Sequence, residues 1–148
     1  MDHANFKNLI LEYTRKINEN TNKTLSPACE QYGLTISQAR ILLMLYQQGI
    51  HTIGSLGNDL CVAGANISAM CKKLETRGLV HRTRDQDDER VVVVSLTAEG
   101  NQIMQEVDEA LNRKLMQHLE ERTGENFEEM IEVLKKLNEL MEKINSEK

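Results

Sequence analysis

The sequence predicts a mainly α chain with one small β-hairpin, an α+β fold class, and three observations predict it. Apolar residues recur at spacings of three and four in several long stretches, as on helices with one buried face. Only two short runs, 80–84 and 91–96, are rich in β-branched residues. A single proline and eight glycines in 148 residues leave few breaks. A chain of this length reads as one domain, 1–148, able to bury a core without disulfides or metals.

In chain order, Phe6, Ile10, Tyr13 and Ile17 fall on one helix face. That stripe lapses over residues 18–24. Ser26-Pro27 reads as an N-cap followed by a first-turn proline, so a kink or break is expected there, with helix resuming to Tyr32-Gly33. Thr35 and Gln38 have capping-box spacing, the hydroxyl accepting the third amide and the glutamine reaching back. Ala39, Leu42, Leu43 and Tyr46 carry that helix to Gly49. A short helix follows over Ile53–Leu60, weakened by Gly54 and Gly57, and Cys61-Val62-Ala63 makes a tight connection.

In the next helix Ile67, Met70, Cys71 and Leu74 face inward, and Gly78 stands where a C-terminal glycine cap belongs. Its outward face is then Ala65, Asn66, Ala69, Lys72 and Lys73, with Ser68 on the flank. The runs 80–84 and 91–96 form a hairpin around the charged tip Asp85-Gln86-Asp87-Asp88-Glu89, with Arg90 opening the second strand. Thr97 caps a long helix whose inward residues are Ile103, Val107, Leu111, Leu115 and Leu119. The last helix, from about Glu125, carries Phe127, Met130, Leu134, Leu137, Met141 and Ile144 in strict three-four alternation. That seam is roughly 27 Å long at about 1.5 Å per residue.

The net charge of −5 argues against a nucleic-acid partner only until it is divided along the chain. Residues 101–148 hold 7 basic and 12 acidic groups, whereas residues 72–84 hold Lys72, Lys73, Arg77, Arg82 and Arg84 against Glu75 alone. That local +4 is fit to face phosphates. Three cysteines with no CxxC fit a reducing interior rather than a disulfide framework. No apolar run approaches a membrane span and Met1-Asp2-His3 does not open a signal peptide, so a cytoplasmic protein is expected. His3, His51, His81 and His118 share no ligand spacing, so neither a metal nor a cofactor is expected. With no Walker loop, dinucleotide glycine pattern, HExxH or Gly-x-Ser-x-Gly, the chain does not read as an enzyme.

Two short helices and a hairpin, 34–97, between long helices in 1–33 and 98–148 describe a winged helix-turn-helix lobe with flanking dimerisation helices. The residues resemble the MarR family of transcription regulators over Phe6 to Ile144. The likeness is densest in Leu34-Thr35-Ile36-Ser37-Gln38, Leu74-Glu75-Thr76-Arg77-Gly78-Leu79-Val80, Asp88-Glu89-Arg90 and Val94-Ser95-Leu96-Thr97-Ala98-Glu99-Gly100. The Asp-x-Arg wing followed by Leu-Thr-x-x-Gly is its most specific part. The resemblance implies a two-fold dimer whose terminal helices interlock, each lobe facing a major groove of a pseudo-palindromic double-stranded operator. It also implies a repressor relieved by a small phenolic or hydrophobic effector.

The residues support a homodimer on their own, since a small lobe cannot cover both the Phe6 stripe and the Phe127 seam. The competing arrangement is a bundle within one chain. Asn66 is the expected base reader, an amide matching adenine, with the Ala65 and Ala69 methyls against thymine. Alternatively Asn66 only caps the helix end. Lys72 and Lys73 suit phosphate or plain solvated surface. Arg82 and Arg84 share a strand face and are expected to flank a phosphate. By the resemblance, Arg90 enters a minor groove with Asp88 orienting it; the alternative is a hairpin ion pair with no DNA role.

The family pattern places a hydroxyl and basic residues at the start of the recognition helix, where this chain has Ala63-Gly64-Ala65 and Ala69. That departure raises a second reading, a winged protein-interaction scaffold with weak or no DNA binding. A ligand pocket between dimer helices and lobe is expected to draw on Tyr13, Met44, Tyr46 and Met104, residues equally suited to core packing. Oxidant-sensing family members place their cysteine in the first helix, where this chain has Tyr13. Cys61 and Cys71 read as buried, which leaves Cys29 as the redox candidate.

Overall fold

The computed structural model describes residues 2–122 and 126–147. Among these residues six helices and three strands follow in order: α1 His3–Tyr32, α2 Ile36–Gln48, β1 His51–Thr52, α3 Ile53–Leu60, α4 Gly64–Thr76, β2 Val80–Arg84, β3 Val92–Leu96, α5 Ala98–Glu121 and α6 Phe127–Ser146. Two compact units are present, residues 1–111 and 112–148, with the boundary inside α5. The expected lobe, 34–97, lies within the first. That unit also takes in α1 and the start of α5, because Leu25, Cys29, Met104 and Val107 are buried there.

α1 runs unbroken through Pro27, against the expected break. A proline inside a helix removes one hydrogen bond and costs roughly 3 kcal/mol. Burial on both sides of it offsets that cost: Leu25 and Cys29 pack with Ala39 of α2. The hydroxyls of Thr21, Thr24 and Ser26 donate back to the carbonyls of Ile17, Asn20 and Asn22, so these polar residues sit within a helix rather than end it. The apolar stripe lapses here because Arg40 of α2 donates to the side chains of Asn18 and Asn22.

α2 opens with the expected capping box: the Gln38 amide donates to Thr35 Oγ1 at 3.1 Å and the Thr35 amide to Gln38 Oε1 at 3.0 Å. Its buried face is Ala39, Ile41, Leu42 and Leu45, with Leu43 and Tyr46 only partly buried. α3 and α4 form the helix-turn-helix around Cys61, which holds a left-handed φ of 54°. Gly57 is required at this turn, because a Cβ there would stand 2.9 Å from the Val62 carbonyl oxygen. In α4, Ile67, Cys71 and Leu74 are fully buried and Met70 partly so, and Gly78 supplies the expected left-handed turn at φ 76°.

The sheet order is β1-β3-β2, all antiparallel. The hairpin expected from the sequence is β2 and β3, the latter starting one residue later than expected. A third strand, β1, pairs His51 with Val94 and Thr52 with Val93. The core joins Ile41, Leu42, Leu56, Leu79, Val94 and Met104 with the buried face of α4. Thr97 caps α5, accepting from the Gly100 amide at 3.0 Å and donating to the Gly78 carbonyl at 2.7 Å.

α5 leaves the core after Leu111, so Leu115, expected inward, is 56% exposed. The expected start of α6 at Glu125 lies outside the described residues. Asn126 caps α6, accepting from the Glu129 amide at 3.1 Å.

Candidate nucleic-acid interface

Helix α4 presents the outward face read from the sequence: Ala65, Asn66, Ala69, Lys72 and Lys73 are exposed and Ser68 is half-buried. Its N-cap, Ala63, makes no side-chain hydrogen bond, and neither does the Asn66 amide among the described residues. Asn66 therefore does not cap the helix and stands open for an external donor and acceptor. Lys72 and Lys73 form no ion pair among the described residues, which leaves both ammonium groups available to phosphate.

At the wing, Arg90 donates to Asp88 three times. Its amide and Nε reach Oδ1 at 3.0 and 3.1 Å, and Nη2 reaches Oδ2 at 3.2 Å. These bonds hold the Asp88 carboxyl below its ordinary value. The Arg90 side chain is nevertheless 91% exposed. The ion pair and an outward guanidinium thus coexist, the pair fixing its direction while leaving most of its surface free. Behind the tip, Arg84 Nη1 donates to the Glu89 carbonyl at 2.6 Å, and the Asp85 amide closes the hairpin on the Val91 carbonyl at 2.8 Å.

Arg82 and Arg84 do not stand together as an open pair. Residues 80, 82 and 84 share one face of β2, and Arg82 pairs across the sheet with fully buried Val94, whereas Arg84 lies further out toward the tip. The Arg82 side chain is only 18% exposed, its Nη1 3.6 Å from Glu75 Oε1, and its amide donates to Glu75 Oε2 at 3.2 Å. The expected phosphate-flanking pair is corrected to one exposed arginine, Arg84, and one that ties the wing to α4.

Sequence reasoning missed the neighbourhood of β1. Thr52, Ile53 and Gly54 line a cleft of about 400 Å³ with Ser68, Arg90, Val91 and Val92. It joins the start of α3, the flank of α4 and the base of the wing. The available signal was Thr52, whose hydroxyl accepts from the Ser55 amide at 3.0 Å and caps α3.

Within one chain the four expected pocket residues lie apart. Met104 is core, Tyr13 is exposed with the Lys16 ammonium 5.2 Å from its ring centre, and Tyr46 packs partly against the core. Met44 lines a cleft of about 260 Å³, with Leu25, Arg40, Leu43, Asp59 and Leu60. The cysteine expectations also change. Cys29 is buried and its thiol pKa raised by that burial, so it is a poor thiolate. Burial pushes Cys71 up to about 11. Cys61, expected buried, is exposed, because it occupies the left-handed turn after α3 rather than a helix face. Among the described residues no three His, Cys, Asp or Glu side chains gather as metal ligands.

On α1, Phe6, Tyr13 and Ile17 are exposed and Ile10 half-buried. On α6, Met130, Leu134, Met141 and Ile144 are exposed, Phe127 and Leu137 half-buried, and no residue is buried. Ile131, Val133 and Leu140 are exposed as well, so the apolar surface of α6 is broader than the single seam read from the sequence. Among the described residues no helix is long and apolar enough to cross a membrane.

Residues 23–107 match the family described as transcriptional regulator SarA/Rot. The organic hydroperoxide resistance transcriptional regulator of Bacillus subtilis is 28% identical over 99 residues, 67% of each chain. The HTH-type transcriptional regulator YsmB of the same organism is 32% identical over 113 residues, 76% of this chain and 77% of YsmB. Among solved structures, reduced AbfR bound to DNA aligns with a TM-score of 0.74 at 24% identity, covering 97% of this chain and 96% of that one. AbfR is a Staphylococcus epidermidis protein. NadR in complex with 4-hydroxyphenylacetate aligns with a TM-score of 0.71 at 28% identity, covering 90% of each.

Proposed function

Since this chain belongs to the MarR/SarA family of winged helix-turn-helix transcriptional regulators, which are DNA-binding proteins and not enzymes, we propose that it is a cytoplasmic homodimeric repressor of a pseudo-palindromic operator. The observation that carries the DNA contact is Arg90, steered by Asp88 at the wing yet 91% exposed. A guanidinium held outward in this way suits a narrow minor groove, where the potential is most negative. Asn66, with its amide unengaged beside Ala65 and Ala69, suits adenine and thymine edges in the major groove. Lys72, Lys73 and Arg84 suit phosphates.

The exposed stripes of α1 and α6 support the dimer, and two lobes related by a two-fold axis would face two half-sites. Repression needs only occupancy of a promoter. Relief by a small phenolic or hydrophobic effector is supported by the NadR complex with 4-hydroxyphenylacetate.

One observation favours a second reading: α4 begins at Ala63-Gly64-Ala65 with no capping side chain, hydroxyl or cation. A protein-interaction scaffold would present such a face. The test is binding of the purified dimer to duplex DNA taken from beside its own coding region. Affinity is expected to fall steeply between low and moderate salt, and Arg90→Ala to weaken it by about 1–3 kcal/mol. Absence of any shift at micromolar dimer would instead favour the scaffold, and an unchanged affinity for Arg90→Ala would remove Arg90 from the interface.

A further inference from the structure

Three hydrogen bonds meet where α1, α4 and α5 come together, and one side chain makes two of them. Arg77 is the C-cap of α4, and its guanidinium leaves that helix for the end of another. Nη1 donates to the Gly33 carbonyl at 2.9 Å, and Nη2 donates to the Tyr32 carbonyl. Tyr32 is the last residue of α1 and Gly33 its left-handed C-cap, at φ 63°. Carbonyls at a helix end lack intrahelical donors and carry the negative end of the helix dipole, so a bidentate cation is the donor they favour. The third bond runs from the Tyr32 hydroxyl to Glu106 of α5.

The two ends of α4 are held differently. At its C-terminal end, Arg77 reaches α1 while Glu75 accepts from Arg82 of β2. At its N-terminal end Ala63 provides no side-chain hydrogen bond. Ile67, Cys71 and Leu74 seat α4 in the core along its length, and the hydrogen bonds that tie it to α1 lie at its C-terminal end. Thirteen residues at about 1.5 Å each make it roughly 20 Å long, with Asn66 near the end away from Arg77.

We infer that Arg77 is the positioning residue that couples the dimerisation helix α1 to the recognition helix α4, and so fixes the separation of the two recognition helices in the dimer. The inference rests on the dimer proposed above. A displacement of α1 then reaches the recognition helix through two hydrogen bonds at the shared helix ends.

Pulsed electron paramagnetic resonance on the full chain tests this without an operator. Nitroxides are placed on the two protomers through Lys73→Cys, with the exposed native thiol removed by Cys61→Asn, an amide residue that holds left-handed backbone. The parent protein is expected to give one narrow distance distribution between α4 helices. Arg77→Met should broaden it at least about twofold, and Arg77→Lys, a single point cation in place of a fork, should fall between. A second label pair on α1, through Lys7→Cys, should stay narrow in both variants, which separates loosening of α4 from loosening of the dimer.

An unchanged α4 distribution in either folded variant overturns the inference, as does equal broadening at both label pairs. If Arg77→Met fails to fold, the Lys variant carries the comparison alone. No dipolar signal between protomers in the parent would overturn the dimer itself, an outcome distinct from a dimer whose α4 spacing ignores Arg77.

Discussion

Cys29, Cys61 and Cys71 show how environment, not residue type, decides reactivity. Thiolate is the reactive form, and burial raises the pKa of Cys29 and takes that of Cys71 to about 11. Cys61 is exposed at the turn between α3 and α4. A disulfide reagent added to native protein at pH about 8 is expected to modify one thiol rapidly and the other two only on denaturation. Rapid reaction of two or three thiols, or none, would contradict this burial pattern. Periodicity placed Cys71 correctly, because a residue within a regular helix inherits the face of its neighbours. Cys61 was misread for the same reason, since it lies where the period ends. Arg82 was misread differently: strand alternation put it on the right face, but only the cross-strand pairing with Val94 shows that this face is covered at that level.

Elements with local causes were legible. The Thr35 and Gln38 box, the Gly78 turn and the Thr97 cap each depend on groups three or four residues apart, so spacing alone identifies them. β1 was not legible, because two residues acquire strand geometry only by pairing with Val93 and Val94, some forty positions away. The continuity of α1 through Pro27 was equally hidden, since it depends on Leu25 and Cys29 packing against a different helix. The start of α5 offers a direct test at this scale. A Cβ on Gly100 would stand 2.1 Å from the Leu79 carbonyl oxygen, which also accepts from the Thr97 amide at 3.1 Å. Backbone cannot yield as a flexible side chain can, so Gly100→Ala is expected to cost about 3 kcal/mol and visibly lower the melting temperature. A melt within a degree or so of the parent protein would show that α5 shifts freely against Leu79, just before β2.

At the scale of the whole molecule, apolar surface is left open on α1 and on α6. Burial of such surface is worth about 25 cal/mol per Å² and is the usual reason for obligate association. Leu134→Asp, in the middle of the α6 seam, is expected to convert the proposed dimer to monomer by light scattering at micromolar concentration. DNA binding should weaken in parallel, because one lobe then meets one half-site. A dimer that survives the substitution would move the interface elsewhere. The seam itself was legible as a three-four stripe, but its breadth was not, because Ile131, Val133 and Leu140 fall outside that alternation. The contact between Arg77 and the end of α1 has no sequence signature on its receiving side, and this bears on how the protein can change over generations. The guanidinium grips main-chain oxygens, which every amino acid supplies. Side chains at the end of α1 can drift without severing the link, provided position 33 keeps its left-handed backbone, whereas the arginine itself has no substitute of equal reach and geometry.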